Sequence, residues 1–314
     1  MFLSPETTAE SGFARTLLNG EFAITAELVP PASGAPDELL ALAEPLRGLV
    51  DAVNVTDGPR AMVHMSALAA SSILAREGIE PILQFACRDR NRIALQADLL
   101  GASAVGVRNV LILRGDDPDT NEIPPPKPVF DVDSRDLIQI AAKMRAGEAL
   151  ASGREIATAP RLFIGAADTP VDPEPGWWRP TGLARKVEAG AGFVQTQLCW
   201  DIDVVRRYAR ALEEAGLTDR MFLLIGIGPI ASARSARWMR DNLWGVRIPD
   251  AIVDRLERAA DQKAEGIAIC AELIRALAEV PGVSGAHLMA PVGLSSIPVA
   301  ITESGIMEGR RTAV

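Results

Sequence analysis

The chain is poor in the residues that several large classes of enzyme require. Its 314 residues include two histidines and three cysteines. His64 and His287 are too few for a histidine metal cluster or an obvious Ser-His-Asp triad. Cys87, Cys199 and Cys270 lie far apart without CxxC spacing, which argues against a zinc site or a disulfide framework. The sequence therefore predicts no resident metal ion.

Further absences restrict the partners and the location. No block of lysine and arginine is longer than Arg310-Arg311 and the formal net charge is −9, so nucleic acid is not an expected partner. The apolar stretch Ala61–Ala75 predicts a packed helix too short and too polar to span a membrane. Nothing resembles a signal peptide, and no GxGxxG motif follows a first strand. We therefore expect a cytoplasmic protein without a Rossmann-type site, and a homo-oligomer remains an open option.

What the chain does contain is a regular alternation of short apolar segments with helix-patterned stretches. The strand-like segments are Phe22–Leu28, Asp51–Thr56, Glu80–Ala86, Arg108–Arg114, Arg161–Ala167, Gly192–Leu198, Met221–Ile227 and Ser284–Ala290. Eight strands alternating with amphipathic helices predict an α/β fold, a (β/α)8 TIM barrel. A barrel of roughly 250 residues with additions accounts for one domain over residues 1–314. Residues 1–20 would form an N-terminal arm, with a helix start at Ser4-Pro5-Glu6, and residues 299–314 a C-terminal tail.

The connections between the strands differ in kind. Helical stripes are predicted at Pro36–Val50, Asn91–Gly101, Ser134–Ala146, Ile202–Ala215, Ser232–Asn242, Pro249–Ala259 and Gln262–Val280. The last three fall between the seventh and eighth strands, so that connection holds extra helices. Two proline-rich connections, Asp116–Asp133 after the fourth strand and Asp168–Pro180 after the fifth, are long and irregular. Such loops usually form lids or binding walls, and surface insertions without a role are the alternative.

Chemistry in such barrels takes place where the strands end, at the C-terminal face. Glu27 ends the first strand, where partial burial would raise its pKa and make it a proton donor. Half of a structural ion pair is an equally ordinary role for such a carboxylate. In Gly115-Asp116, the glycine permits close approach of a ligand and the carboxylate can stabilise a developing cation, although a solvated turn explains the same residues.

Two glutamines of the sixth strand are further candidates. Gln197, at the strand end, carries the donors and acceptors needed to bind an amide-like ring edge, and Gln195 faces the same way one layer deeper. Buried glutamines also commonly satisfy backbone groups. Arg185 and Lys186 precede this strand, where they could bind phosphate or remain solvated.

Taken together, these segments resemble the methylenetetrahydrofolate reductase family, from about Phe22 to about Pro298. The resemblance depends on the joint order of its motifs. They are Ala26-Glu27 with Pro30-Pro31, Val53-Asn54-Val55-Thr56, Arg114-Gly115-Asp116, the segment Lys186 to Ala191 leading into Thr196-Gln197, Trp200-Asp201 and Val246-Arg247-Ile248-Pro249. The family consists of flavoprotein barrels that reduce 5,10-methylenetetrahydrofolate to 5-methyltetrahydrofolate.

The resemblance implies roles for matching positions. Glu27 would be the general acid that opens the folate's imidazolidine ring, and Asp116 would face the pterin and stabilise positive charge. Gln197 and Thr56 would contact the substrate. NADH or NADPH would deliver hydride to the flavin and leave before folate binds, in a ping-pong sequence. The residues expected to hold the flavin are Thr56, Gln84, Arg114, Gly115, Asp116, Ser134, Ala167, Arg185 and Lys186.

The chain also departs from the family pattern. Gln84-Phe85-Ala86-Cys87 stands where relatives have His-x-Thr-Cys, and Ala167-Asp168-Thr169-Pro170 stands where relatives of the bacterial type have a tyrosine and a histidine. The arginine that relatives place near the end of the eighth strand is missing from Ala290–Gly293. Two other runs, Cys87-Arg88-Asp89-Arg90-Asn91 and Lys127-Pro128-Val129-Phe130-Asp131, resemble a divergent bacterial branch of the family. We expect FAD, with FMN and a flavin-free reductase as alternatives.

A non-redox function is the competing hypothesis. The barrel could bind folate or another heterocycle as the partner of a methyltransferase, because barrels host many functions. Glu27 and Asp116 favour catalysis, since binding alone needs no proton donor. A barrel lyase or aldolase would need a strand-end lysine or metal ligands, which the strands lack. The sequence leaves the choice between NADH and NADPH and the physiological direction open.

Overall fold

The computed structural model describes residues 10–118, 124–173, 178–290 and 294–308. Its strands form one closed parallel barrel in which each strand pairs with its neighbours in sequence order, and β8 pairs with β1. The strands are β1 (Ala23–Leu28), β2 (Ala52–Val55), β3 (Pro81–Ala86), β4 (Asn109–Leu113), β5 (Phe163–Asp168), β6 (Phe193–Leu198), β7 (Phe222–Ile227) and β8 (Gly285–Leu288). The predicted TIM barrel is confirmed, and each strand lies within two residues of its predicted ends.

Helices fill the connections and cover the outside of the barrel. They are α1 (Gly12–Leu18), α2 (Pro36–Ala43), α3 (Ala67–Arg76), α4 (Arg92–Ala104), α5 (Ser134–Arg145), α6 (Thr181–Glu188), α7 (Ile202–Glu214), α8 (Ala233–Asn242), α9 (Asp250–Arg258), α10 (Gln262–Ala278) and α11 (Ser296–Ser304). As predicted, α8, α9 and α10 all lie between β7 and β8. No helix in the described part of the chain is both long and apolar enough to cross a membrane.

The helices differ from the sequence predictions in four places. The helix predicted over Pro36–Val50 ends at Ala43 and is followed by a 3-10 turn over Glu44–Leu46, because Pro45 cannot continue an α-helix. The helix predicted over Ala61–Ala75 begins only at Ala67, because Ala61 has a positive φ of 52° and the backbone at Met62 and Ser66 is extended, with ψ angles of 155° and 128°. Helix α6, which contains both Arg185 and Lys186, was not predicted. Helix α11 extends into the predicted C-terminal tail and packs against α10. The predicted helix start at Ser4 lies outside the described residues.

The N-terminal end of the barrel is closed by aromatic side chains. Phe13 of α1 is fully buried, with its ring centroid 5.3 Å from that of Phe193 and 5.9 Å from that of Phe163. The Phe163 and Phe193 centroids are 4.7 Å apart. Glycine at position 165 makes room for this packing, because a Cβ there would lie 2.2 Å from the Phe193 ring. The predicted arm therefore supplies part of the core.

Glu80 anchors α1 to this end of the barrel. Its carboxylate accepts hydrogen bonds from the backbone N–H of Gly12 at 2.8 Å and from the hydroxyl of Ser11 at 2.8 Å. Ser11 also caps the helix, since its Oγ accepts from the N–H of Ala14. A carboxylate at a helix N-terminus satisfies donors that lack partners within the helix.

Candidate active site

A cavity of about 550 Å³ opens at the C-terminal ends of the strands, inside the range typical of small-molecule sites. The barrel therefore places its open side where such barrels carry their chemistry. Most of the predicted site residues line it, namely Glu27, Thr56, Gln84, Arg114, Gly115, Asp116, Ala167 and Gln197.

Glu27 projects from the end of β1 into this cavity. Its Oε2 accepts a hydrogen bond of 2.9 Å from Nε2 of Gln84 on β3. Burial raises the pKa of Glu27, the negative charge of Asp116 raises it further, and the hydrogen bond from Gln84 opposes the rise. Glu27 forms no ion pair with any described residue, so the arrangement is that of a carboxyl group that retains its proton more readily than an exposed one.

Asp116 is fixed by an unusual piece of backbone. Its Oδ2 accepts a hydrogen bond of 2.8 Å from the N–H of Arg60, which has a left-handed backbone in the loop after β2. Gly115 before it has a φ of 86°, and a Cβ there would lie 3.0 Å from the Cβ of Arg88. A side chain at position 115 would be strained, and the exposed carboxylate of Asp116 links the loop after β4 to the loop after β2.

Arg114 lies at the exposed rim of the same strand end. Its guanidinium pairs with Asp117 at 2.7 Å and lies 4.3 Å from the centroid of the Phe130 ring. Arg88, by contrast, is 3% exposed and donates to Asp89 and to the carbonyl oxygen of Gly58. Arg88 was not among the predicted site residues, and no motif in the sequence distinguishes it from the surface arginines.

Gln197 uses part of its hydrogen-bonding capacity within the protein. Its Oε1 accepts from the N–H of Leu198 at 2.9 Å, and its Nε2 donates to the carbonyl oxygen of Trp244 at 3.1 Å. A bulge in β6 puts one extra residue between Gln195 and Leu198 relative to β7, and such bulges commonly redirect side chains at active sites. The amide of Gln197 retains one N–H and one lone pair for a ligand.

Trp244 stands at the rim of the cavity with its side chain 81% exposed. The turn that carries it continues into Gly245, which has a φ of 77° and lies so close to Thr169 that a Cβ would be 2.6 Å from its methyl carbon. A fixed turn therefore places this large, exposed aromatic residue at the opening of the cavity. Sequence analysis did not select Trp244, since a lone tryptophan outside a motif carries no spacing signal.

Gln195 lies one layer deeper, as expected, and it satisfies other side chains. It exchanges hydrogen bonds with Asn54 and donates to the hydroxyl of Thr25 at 2.9 Å. The same hydroxyl lies 3.0 Å from Nδ1 of His287, which also lines the cavity. His287 is therefore a hydrogen-bonded interior residue at the cavity floor.

Asp168 and Tyr208 form a second buried polar pair. The hydroxyl of Tyr208 donates to Oδ2 of Asp168, which lines the cavity at the end of β5. Burial raises the pKa of Asp168, and the hydrogen bond from Tyr208 opposes that rise. Tyr208 comes from the buried face of α7, so only the fold brings the two side chains together.

Ser134, Arg185 and Lys186 do not line the cavity. Ser134 is the first residue of α5, and Arg185 is exposed on α6. Lys186 donates through Nζ to the carbonyl oxygen of Ala167 at 2.7 Å, so it reaches the back of the cavity wall. Their predicted contacts with a flavin stay predictions.

Thr56 places an unsatisfied hydroxyl group in the wall of the cavity. Its Oγ1 is buried, and none of the described residues gives it a hydrogen-bond partner. Buried hydroxyls nearly always have partners, so this hydroxyl is available to hydrogen-bond a molecule in the cavity.

The described residues contain no group of three or more His, Cys, Asp or Glu side chains suited to a metal ion. The three cysteines are free and buried, and burial raises the pKa of Cys87 to about 12 and that of Cys199 to about 11. Thiolates are therefore not available near neutral pH.

Comparison with known proteins gives concordant results. The probable methylenetetrahydrofolate reductase (NADPH) of Caenorhabditis elegans is 28% identical over 198 residues, covering 62% of this chain and 27% of that protein. Methylenetetrahydrofolate reductase 2 of Saccharomyces cerevisiae is 26% identical over 248 residues, covering 76% of this chain and 39% of that protein. The chain thus spans less than half the length of these relatives.

A solved structure shares the fold. An uncharacterized protein from Clostridium thermocellum that binds two copies of 5-methyl-5,6,7,8-tetrahydrofolic acid superposes with a TM-score of 0.62 at 13% identity, covering 96% of this chain and 100% of that one. The model of the family described as methylenetetrahydrofolate reductase matches residues 13–304. This match includes every strand of the barrel and the cavity residues, and the chain belongs to the methylenetetrahydrofolate reductase family.

Proposed function

We propose that this protein reduces 5,10-methylenetetrahydrofolate to 5-methyltetrahydrofolate, with hydride that originates from NADH or NADPH and is passed on in a ping-pong sequence. The observation that carries the proposal is Glu27, a half-buried carboxyl group with a raised pKa that faces the same cavity as Asp116. Family membership and the folate bound by the Clostridium thermocellum protein support the substrate class.

Glu27 is the proposed general acid. Protonation of the folate's imidazolidine ring opens it to a cationic iminium, whose methylene carbon then accepts hydride. A general acid must still hold its proton at the working pH, which the burial of Glu27 favours. Asp116, lying in the same cavity, stabilises the positive charge that develops on the ring.

The remaining cavity residues bind and orient the substrate. Gln197 has one N–H and one lone pair left for the pterin edge, because its other groups bind Trp244 and Leu198. Thr56 contributes its unsatisfied hydroxyl. The exposed indole of Trp244 suits the aryl ring that links the pterin to the glutamate of a folate.

The cavity also has groups that fit a flavin. Thr56, Gln84 and Asp116 supply hydrogen-bonding groups for the polar edge of the ring, and the unsatisfied Oγ1 of Thr56 is the observation that favours such a contact. Arg114 at the rim carries the positive charge that a phosphate requires. A bound flavin, FAD before FMN, would accept hydride from the nicotinamide and deliver it to the folate.

The test separates the two half-reactions under anaerobic conditions. The purified protein is mixed with NADH or NADPH and the flavin absorbance is followed, and 5,10-methylenetetrahydrofolate is then added. We expect the nicotinamide to bleach the absorbance and the folate to restore it. A colourless protein that reduces no folate would contradict the proposal and favour a folate-binding barrel without redox activity.

Glu27→Gln sharpens this test. We expect folate reduction to fall by roughly 10²-fold or more, the usual contribution of general acid catalysis, while bleaching by the nicotinamide stays within about twofold of the wild type. Glu214→Gln, at an exposed position of α7 outside the cavity, is the matched control and should change neither half-reaction. An equal loss in both half-reactions would remove Glu27 from the role of proton donor.

A further inference from the structure

Beneath Glu27, four polar side chains from different strands meet inside the barrel. We call them the floor network: Thr25 of β1, Asn54 of β2, Gln195 of β6 and His287 of β8. All four are buried, with exposures between 0% and 2%. The network closes the bottom of the cavity and has no role in the function proposed above.

The amides of the floor network fix the orientation of Gln195. Asn54 Nδ2 donates to Gln195 Oε1 at 2.6 Å, and Gln195 Nε2 donates back to Asn54 Oδ1 at 3.0 Å. Nε2 of Gln195 therefore faces the remaining two members, and it lies 2.9 Å from Thr25 Oγ1 and 3.4 Å from His287 Nδ1.

This orientation selects one tautomer of His287. Since the Thr25 hydroxyl oxygen accepts from Gln195, its own hydrogen is free to be donated to Nδ1 of His287 at 3.0 Å. Both hydrogens of Gln195 Nε2 are taken by Asn54 Oδ1 and Thr25 Oγ1, so the donor to Nδ1 is the Thr25 hydroxyl and Nδ1 is the acceptor of this contact. The proton of the neutral ring then lies on Nε2.

The Nε2–H of His287 has no acceptor among the described residues. His287 is 2% exposed and lines the cavity, and burial lowers its pKa to about 3, so its ring stays neutral at ordinary pH. Nε2 is not itself sealed inside the core, so its N–H is open to a ligand in the cavity. A ligand atom that accepts this hydrogen bond would satisfy it.

We propose that Nε2–H of His287 donates a hydrogen bond to the carbonyl oxygen of the pteridine ring. This inference rests on the proposed function. Thr25 pairs with His287 across β1 and β8, and Glu27 lies two residues further along β1 on the same interior face. A ring that takes a proton from Glu27 therefore lies over His287. The Nε2–H of the neutral His287 ring then contacts one edge of the pteridine, and the carboxyl group of Glu27 contacts the other edge.

Two substitutions separate the network role of His287 from its ligand role. His287→Asn keeps an acceptor oxygen near the position of Nδ1 for Thr25, and it removes the donor at Nε2. His287→Gln reaches the Nε2 position with an amide N–H, and it offers less to the network. The probe is 5-methyltetrahydrofolate, titrated into the full-length protein by calorimetry.

We expect His287→Asn to weaken 5-methyltetrahydrofolate binding by about tenfold and His287→Gln to stay within about threefold of the wild type, while NADH binding is unchanged in both. Wild-type affinity in the Asn variant, or an equal loss of NADH affinity, would overturn the hydrogen bond to the pterin alone. Failure of the wild-type protein to bind 5-methyltetrahydrofolate would overturn both this hydrogen bond and the proposed function.

Nitrogen NMR of the wild-type protein tests the same point without a substitution. With labelled histidine, His287 should show a protonated Nε2 and an unprotonated Nδ1 that do not titrate between about pH 5 and 8. Added 5-methyltetrahydrofolate should shift Nε2 far more than Nδ1. His64, outside the floor network, serves as the reference. The opposite tautomer, or an Nε2 chemical shift that does not change when 5-methyltetrahydrofolate is added, would overturn the inference.

Discussion

At its N-terminal end the barrel interior is filled by Phe13, Phe163 and Phe193, whereas at its C-terminal end the same strands surround a cavity with carboxylates and amides. The aromatic end leaves no room even for a Cβ at Gly165. The polar end contains a hydroxyl on Thr56 that no described residue satisfies. The two ends show that hydrophobic packing and the polar cavity lie at opposite ends of one barrel, as is general for this architecture.

The largest expected effect comes from a substitution in the aromatic N-terminal end of the barrel. Phe193→Ala should lower the free energy of unfolding by about 3–5 kcal/mol, because it removes a fully buried ring that contacts both other phenylalanines. Denaturant unfolding measures the loss. Folate reduction by the fraction that remains folded should be near wild type, and a specific loss of turnover at low temperature would show that the two ends are coupled.

A smaller effect tests the rim of the open end. Trp244→Ala should raise the KM for 5,10-methylenetetrahydrofolate by about tenfold with kcat little changed, since stacking on an aromatic side chain contributes about 1–3 kcal/mol. Trp238→Ala is the matched control, because Trp238 is also exposed but lies on α8 away from the cavity lining. Equal effects of the two substitutions would argue against a stacking role.

Two cavity substitutions should move the pH profile in opposite directions. The Gln84 hydrogen bond lowers the pKa of Glu27 and the Asp116 charge raises it. Activity that needs protonated Glu27 falls as pH rises through this pKa. Gln84→Leu should therefore shift the alkaline limb of kcat/KM for folate to higher pH, and Asp116→Asn should shift it to lower pH. Shifts in the same direction would contradict Glu27 as the titrating acid.

The smallest effect concerns stability against pH. Burial raises the pKa of Glu27 above its ordinary value of 4.5, so above pH 4.5 the folded protein holds a proton that the unfolded chain has released. Wild-type stability therefore declines, relative to Glu27→Gln, as pH rises from 4.5 through the raised pKa. Unfolding at several pH values should show a growing advantage of Glu27→Gln that levels off.

The sequence predicted the barrel well because strand and helix periodicities are local signals. Glu27, Asp116 and Gln197 could be selected as site candidates from the sequence for the same reason, since each lies at or just after the end of a strand and the strand ends meet at one end of the barrel. Gln195 was a candidate from the sequence, but the Asp168–Tyr208 pair and the contacts of the floor network were missed, because the hydrogen-bonded partners lie 40 to 262 positions apart in sequence. The late start of α3 depends on a positive φ at Ala61 and on extended backbone at Met62 and Ser66, which the periodicity of the sequence does not signal.

The anchoring of α1 by Glu80 has a consequence for synthesis of the chain. The ring of Phe13 finds its partners on β5 and β6, which leave the ribosome long after it. Until those strands emerge, the apolar face of α1 has nothing permanent to cover it. Nascent chains halted before Phe193 should therefore be better substrates for chaperones than chains halted after β6, since contacts between distant segments form late.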